Sequence, residues 1–120
     1  MPSLMRLAAQ TARHAAARQA VIAANVANAD TPGFRARDLD PFRPAGDVAA
    51  LRRTHARHLA GAPPAPRAHI RADAPTDPNG NSVSLEAEIL RSEETGRIHD
   101  RALAVYGASL DLLRASLGRR

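Results

Sequence analysis

The chain has 120 residues, but 27 of its 53 apolar residues are alanine, and Leu, Ile, Val and Phe together number only 23. That argues against a self-sufficient core and for strong helix formers with thin apolar stripes. All 17 basic residues are arginine against 12 acids, a net +5 split as +3 over residues 1–29, +4 over 30–72 and −2 over 73–120; there is no cysteine and only three aromatics, which removes disulfides and thiolate metal sites and leaves base-stacking platforms nearly absent.

The start, Met1-Pro2-Ser3-Leu4-Met5-Arg6, has no apolar run of signal-peptide length. No segment reaches the roughly 18 to 20 apolar residues of a membrane span, so export, if it occurs, is expected without a cleaved signal peptide. Residues 3 to about 29 read as one helix with Leu4, Leu7, Ala8, Thr11, Ala15, Ile22 and Val26 near 3-4 spacing. The stripe thins at Ala15-Ala16-Ala17, and a lone helix roughly 40 Å long with so little to bury needs a partner helix. It is expected to stop near Ala29 or Asp30. Proline disfavours the α region for the residue before it, and Thr31-Pro32-Gly33-Phe34 carries proline and glycine in the two central positions of a type II turn. Asn25 and Asn28 lie on one helix face just before the stop, where their amides can tie down the turn or a neighbouring chain. Their contacts are expected to form only once the helices are paired.

From Phe34 to Gly80 the pattern changes, with seven of the nine prolines between Pro41 and Pro78. Gly61-Ala62-Pro63-Pro64-Ala65-Pro66 suits neither regular helix nor central strand. Within this connector Asp47 to Leu59 reads as a short helix with Asp47 as N-cap. Asp77-Pro78-Asn79-Gly80-Asn81 is a turn, Ser84 is an N-cap, and Glu86 and Glu88 sit in the first turn of a second long helix, Leu85 to about Leu117. Its best stripe is Leu103, Tyr106, Leu110, Leu113 and Leu117, with the 3-4 spacing of a coiled-coil seam. Traced backwards the stripe meets Gly96, which costs about 1 kcal/mol against alanine and marks a place for a bend. The expected fold class is all-α: two long terminal helices packing as a coiled-coil-like pair, residues 1–33 and 83–120, around a loop-rich, proline-containing segment 34–82. The basic N-terminal part and the acidic C-terminal part favour pairing of the two ends, subject to salt screening.

Sites for chemistry are sparse. His55 and His58 are three apart, but no third ligand is evident and no glutamate stands between them as in a metalloprotease helix. His14, His69 and His99 are isolated and read as surface or interface residues. There is no nucleophile elbow, phosphate loop or dinucleotide fingerprint, and Glu86, Glu88, Glu93 and Glu94 read as a solvated helix flank. The expectation is no enzyme, no catalytic residue, no metal and no cofactor. A basic nucleic-acid-binding helical module is the alternative, since residues 1–72 are net +7, but the arginines are dispersed rather than gathered on a recognition helix. The leucine stripe itself has two readings, an intramolecular core or a contact between subunits.

Asn25-Val26-Ala27-Asn28-Ala29-Asp30-Thr31-Pro32-Gly33-Phe34 resembles the N-terminal signature of the bacterial flagellar rod and hook proteins, in which a terminal helix ends in Asn-x-Ala-Asn-x-x-Thr-Pro-Gly and an aromatic. Three further stretches are similar to the proximal-rod members of that family: Arg37-Asp38-Leu39-Asp40-Pro41-Phe42, Thr54-His55-Ala56-Arg57-His58-Leu59, and Asn79 to Glu88. Thr95-Gly96-Arg97-Ile98-His99 departs from the family, where a helix-favouring run ending in tyrosine stands, and Ala60 to Asp77 has no match. The resemblance implies a structural subunit of the flagellar basal-body rod that passes torque from rotor to hook and filament. The implied partners are other copies, other rod and rod-adaptor proteins and the flagellar type III export apparatus, with no nucleic acid and no direct membrane span. The implied location is the rod crossing the periplasm, reached without signal cleavage. Asn25, Asn28, Thr31, Pro32, Gly33 and Phe34 then form an assembly motif, and Leu103, Tyr106, Leu110, Leu113 and Leu117 a helix-packing seam.

Overall fold

A computed structural model of the chain describes residues 2–44 and 65–118; the short helix expected over 47–59 lies outside them. Helix α1 spans Pro2–Ala27, beginning on a proline whose missing N–H would have had no partner in a first turn. After Ala27 the ladder tightens: the N–H groups of Asn28 and Ala29 donate to the carbonyls of Asn25 and Val26 at 3.0 and 3.2 Å, three residues back instead of four. The chain then reverses at Thr31-Pro32-Gly33-Phe34, where Phe34 N–H donates to the Thr31 carbonyl at 3.2 Å and Gly33 takes φ +73°, as a type II turn requires.

Helix α2 spans Leu85–Ser116 and runs without a break through Gly96. Ser84 caps it in an extended conformation, its hydroxyl accepting from Ala87 N–H at 3.4 Å, and Glu86 and Glu88 occupy the first turn. The two helices are antiparallel, because Asn25 bonds to Glu88 while the earlier Gln19 bonds to the later Ser92.

The buried line of α2 is Glu88, Thr95, Ala102 and Ser109, spaced by heptads; α1 meets it with Ala8, Ala12, Ala15, Ile22 and Asn25. Small side chains along most of both lines let the backbones come close, so the hairpin is held by near contact rather than by a leucine core. Of the α1 stripe read from the sequence, Ala8, Ala15 and Ile22 are buried, whereas Leu4, Leu7 and Val26 are exposed. Thr95 Oγ1 is buried with no hydrogen-bond partner among the described residues.

The all-α expectation is corrected by a small sheet. Strands β1 (Arg37–Leu39) and β2 (Ala68–Ile70) pair antiparallel, Arg37 facing Ile70, Asp38 facing His69 and Leu39 facing Ala68. Bonds from Asp40 N–H to the Arg67 carbonyl (3.0 Å) and from Arg71 N–H to the Ala36 carbonyl (2.9 Å) extend the ladder at both ends. Three-residue strands are too short for an alternating pattern to show in a sequence, and two strands alone are marginal in water. The pair persists here because it lies on α1, burying Leu39 and joining Asp38 to Arg18. No helix among the described residues is long and apolar enough to cross a membrane.

Candidate assembly site

Two asparagines organise the end of the hairpin where α1 stops and α2 begins. Asn25 is 1% exposed and uses every polar atom: its Nδ2 donates to the Arg37 carbonyl (2.8 Å) and to Glu88 Oε2 (3.0 Å), and its Oδ1 accepts from Arg37 N–H (3.0 Å). It stands beside β1 as a neighbouring strand's peptide group would, while tying α1 to α2. Asn81, also 1% exposed, closes the turn from the other side. Its Nδ2 lies 2.8 to 2.9 Å from the carbonyls of Asn28, Ala29 and Thr31, so two hydrogens are shared among three acceptors, of which those of Asn28 and Thr31 also accept from Thr31 N–H and Phe34 N–H. Its Oδ1 accepts from Val83 N–H at 2.7 Å.

Around these residues the two sequence motifs lie against each other. Gly33 N–H donates to the Asn79 carbonyl (3.0 Å), Ser82 N–H to the Phe34 carbonyl (3.0 Å), and Ala36 N–H to Ser82 Oγ (2.9 Å). Gly80 takes φ +82°, and a Cβ on it would come within 3.2 Å of Gly33 Cα, so both backbone angle and close approach call for glycine there. Asn28 sits at the edge of the joint, its Nδ2 donating to the Ala24 carbonyl (2.8 Å) and its Oδ1 accepting from Thr31 Oγ1 (3.2 Å). Thr31, Pro32 and Gly33 are exposed and Phe34 is half-buried.

Glu88 corrects one expectation. Read as part of a solvated flank, it is 0% exposed and sits at the centre of the joint, accepting from Asn25, from Arg71 Nη1 at 3.1 Å and from Arg91 Nη1 at 3.3 Å. A buried carboxylate is tolerable only with such partners. The signal available in the sequence was the heptad line Glu88, Thr95, Ala102, Ser109, which a search for leucines passes over. Arg18 and Asp38, likewise not singled out, form a two-toothed pair with both bonds at 2.9 Å. Burial pushes the Asp38 carboxyl up, but the hydrogen bonds from Arg18 and Leu39 N–H and the charges of Arg18 and Arg71 outweigh it and hold the group below its ordinary value. The same bond to Asp38 raises Arg18.

An open groove of about 580 Å³ runs between the helices beside the sheet. It is lined by His14, Arg18, Asp38, Phe42, His69 and Thr95 among others. Its arginines are engaged within the chain, Arg18 with Asp38 and Arg71 and Arg91 with Glu88, and His69 Nδ1 lies 3.2 Å from Asp40 Oδ1. No group of three or more metal-ligating side chains occurs among the described residues, and His55 and His58 lie outside them.

The leucine stripe of α2 is divided in its exposure. Leu103 is 50% and Leu117 83% exposed, while Tyr106, Leu110 and Leu113 are half-buried. Leu4 and Leu7 of α1 and Val105 and Leu112 of α2 are exposed as well.

Comparison with known proteins gives a consistent family. A family model described as flagella basal body rod protein matches residues 5–35. The flagellar basal body rod protein FlgB of Escherichia coli is 41% identical over 86 residues, 61% of this chain and 62% of the relative, so that match spans about three-fifths of the relative's length. FlgB of Agrobacterium fabrum is 33% identical over 107 residues, covering 81% of this chain and 79% of the relative. FlgB of Cereibacter sphaeroides is 30% identical over 105 residues, covering 83% and 82%.

Proposed function

Because this chain belongs to the FlgB family of flagellar basal body rod proteins, we propose that it is a structural subunit of the rod. It assembles with other copies and with other rod and rod-adaptor proteins, and it carries torque from rotor to hook and filament. It reaches the rod through the flagellar type III apparatus and crosses the periplasm there, with no signal cleavage. The observation that carries the assembly reading is the division of labour in the hairpin. Its buried line is made mainly of alanine, serine, threonine and a saturated polar joint, while Leu4, Leu7, Leu103, Leu112 and Leu117 stay outside. Large apolar side chains left on the outside of a folded hairpin are available to other helices.

Leu103, Tyr106, Leu110, Leu113 and Leu117 form the seam that neighbouring subunits cover, and Asn25, Asn28 and Thr31 to Phe34 make the rigid joint between the assembly helices and the sheet. The deciding experiment is fractionation of flagellar basal bodies and detection of this chain in them; its absence there overturns the reading. Leu110→Asp tests the seam: the variant is expected to be exported yet fail to enter the rod, and normal motility would remove the seam from the account.

A further inference from the structure

Among the described residues no ion pair joins the two helices of the hairpin, although the charges of Glu94 and Glu88 act on Arg18. Helix α1 contains Arg6, Arg13 and Arg18 and no acid. Arg18 pairs with Asp38 of the sheet, and Arg6 and Arg13, both exposed, have no ion pair among the described residues. On α2, Glu86, Glu93 and Asp100 are all exposed. Their own partners are slight: none for Glu86 among the described residues, a 4.0 Å contact with Arg97 for Glu93 and a 3.6 Å contact with His99 for Asp100.

Position on the helices makes these charges complementary. Arg6 and Arg13 stand two residues before the buried Ala8 and Ala15; Glu93 and Asp100 stand two before the buried Thr95 and Ala102. Two residues is about 200° around a helix, so each pair points away from its own partner helix, and each pair is seven residues apart, about 10.5 Å. We infer that a second copy of this chain docks here, the outer face of α1 lying antiparallel on the outer face of the neighbour's α2, with Arg6 opposite Asp100 and Arg13 opposite Glu93. Residue numbers run in opposite directions in the two helices, so this register also sets Leu90, 71% exposed, over Ala16, and Glu86 beside Ala20. The exposed leucine thereby finds an alanine surface to cover. The two faces differ from each other, so the contact is head-to-tail and repeats from copy to copy in one direction, as a ring or tube needs. The inference rests on the rod reading above and adds the surface and register through which copies meet.

The test uses the full chain in a host deleted for its own copy, with the amount in purified basal bodies as the readout. R6E/R13E alone and E93R/D100R alone are each expected to lower incorporation at least about tenfold, since two attractive pairs become repulsive at every repeat. Co-expression of the two variants should restore it, because the acidic α1 of one then meets the basic α2 of the other, a rescue that a defect in export or in the fold of one variant would not allow. Parent-level incorporation of either variant alone, or no rescue on co-expression, overturns the contact while leaving the rod reading standing. Absence of the parent chain from basal bodies overturns the rod reading itself.

Discussion

The two ends of the hairpin are built on opposite plans. At the joint, Asn25, Asn81, Ser82 and Glu88 are buried and every polar side chain among them is hydrogen-bonded. Toward the other end the buried residues are Ala8, Ala12, Ala102 and Ser109, while Leu4, Leu7, Leu103 and Leu112 lie outside. Directional bonds at the joint select one arrangement of helix end, turn and sheet, and a mismatch there leaves buried groups unpaired. The alanine-lined end selects little beyond close approach, and large apolar groups stay outside at both ends, Leu4, Leu7 and Leu103 at one and Val26, Leu85, Ile89 and Leu90 at the other. The two ends differ in what they bury, not in whether they leave apolar groups outside.

That contrast breaks most sharply at Glu88. Glu88→Ala leaves Arg71 largely buried beside a missing carboxylate, and the expected loss is about 3–5 kcal/mol in urea denaturation of the purified chain; a loss under about 1 kcal/mol would mean the joint does not hold the fold. Asn81→Ala removes the donor to the Ala29 carbonyl and the acceptor for Val83 N–H, and should cost about 3 kcal/mol, with faster amide exchange concentrated between Asn28 and Ala36 as the local signature.

A smaller effect is expected at Asp38→Asn, about 1 kcal/mol at neutral pH. Because the folded carboxyl is held below its unfolded value of about 3.9, its contribution is complete above that pH and fades as pH falls through the lowered folded value. The gap between parent and variant should therefore be flat above about pH 4 and close below it; a gap that persists at pH 2 would assign the effect to shape rather than charge. The smallest change in stability, within about 0.5 kcal/mol, is expected for L103D/L117D, since both side chains are largely outside the hairpin. The same variant should be missing from basal bodies, and a large loss of stability instead would place these leucines in the chain's own fold.

Much of this architecture was legible because its signals are local. Proline and glycine in the Thr31 to Phe34 turn, the cap at Ser84 and the helical runs on either side act through neighbours in the chain, and α2 begins where Ser84 marks it. The end of α1 was misjudged by only a few residues, because the helix tightens into shorter hydrogen bonds before the turn. The sheet was not legible, since three residues per strand carry no period and the partners lie about thirty residues apart across the proline-rich connector. Glu88 was misread for a related reason: charge predicts exposure unless partners are known, and Arg71 and Asn25 reach it from 17 and 63 residues away in sequence.

The sequence by itself determined two long helices, their limits to within a few residues, the turn between helix and connector and the leucine stripe, all of which follow from backbone preference and periodicity over a few residues. Only the tertiary structure decided that alanines and polar groups form most of the inside of the hairpin and leave Leu4, Leu7, Leu103, Leu112 and Leu117 outside. Which stripe is buried depends on how closely two backbones can approach, and the small residues at Ala8, Ala15 and Ala102 win that competition. It also decided that Asn25-to-Phe34 and Asn79-to-Ser82 are one joint rather than two turns, because the bonds that unite them cross some fifty residues of chain.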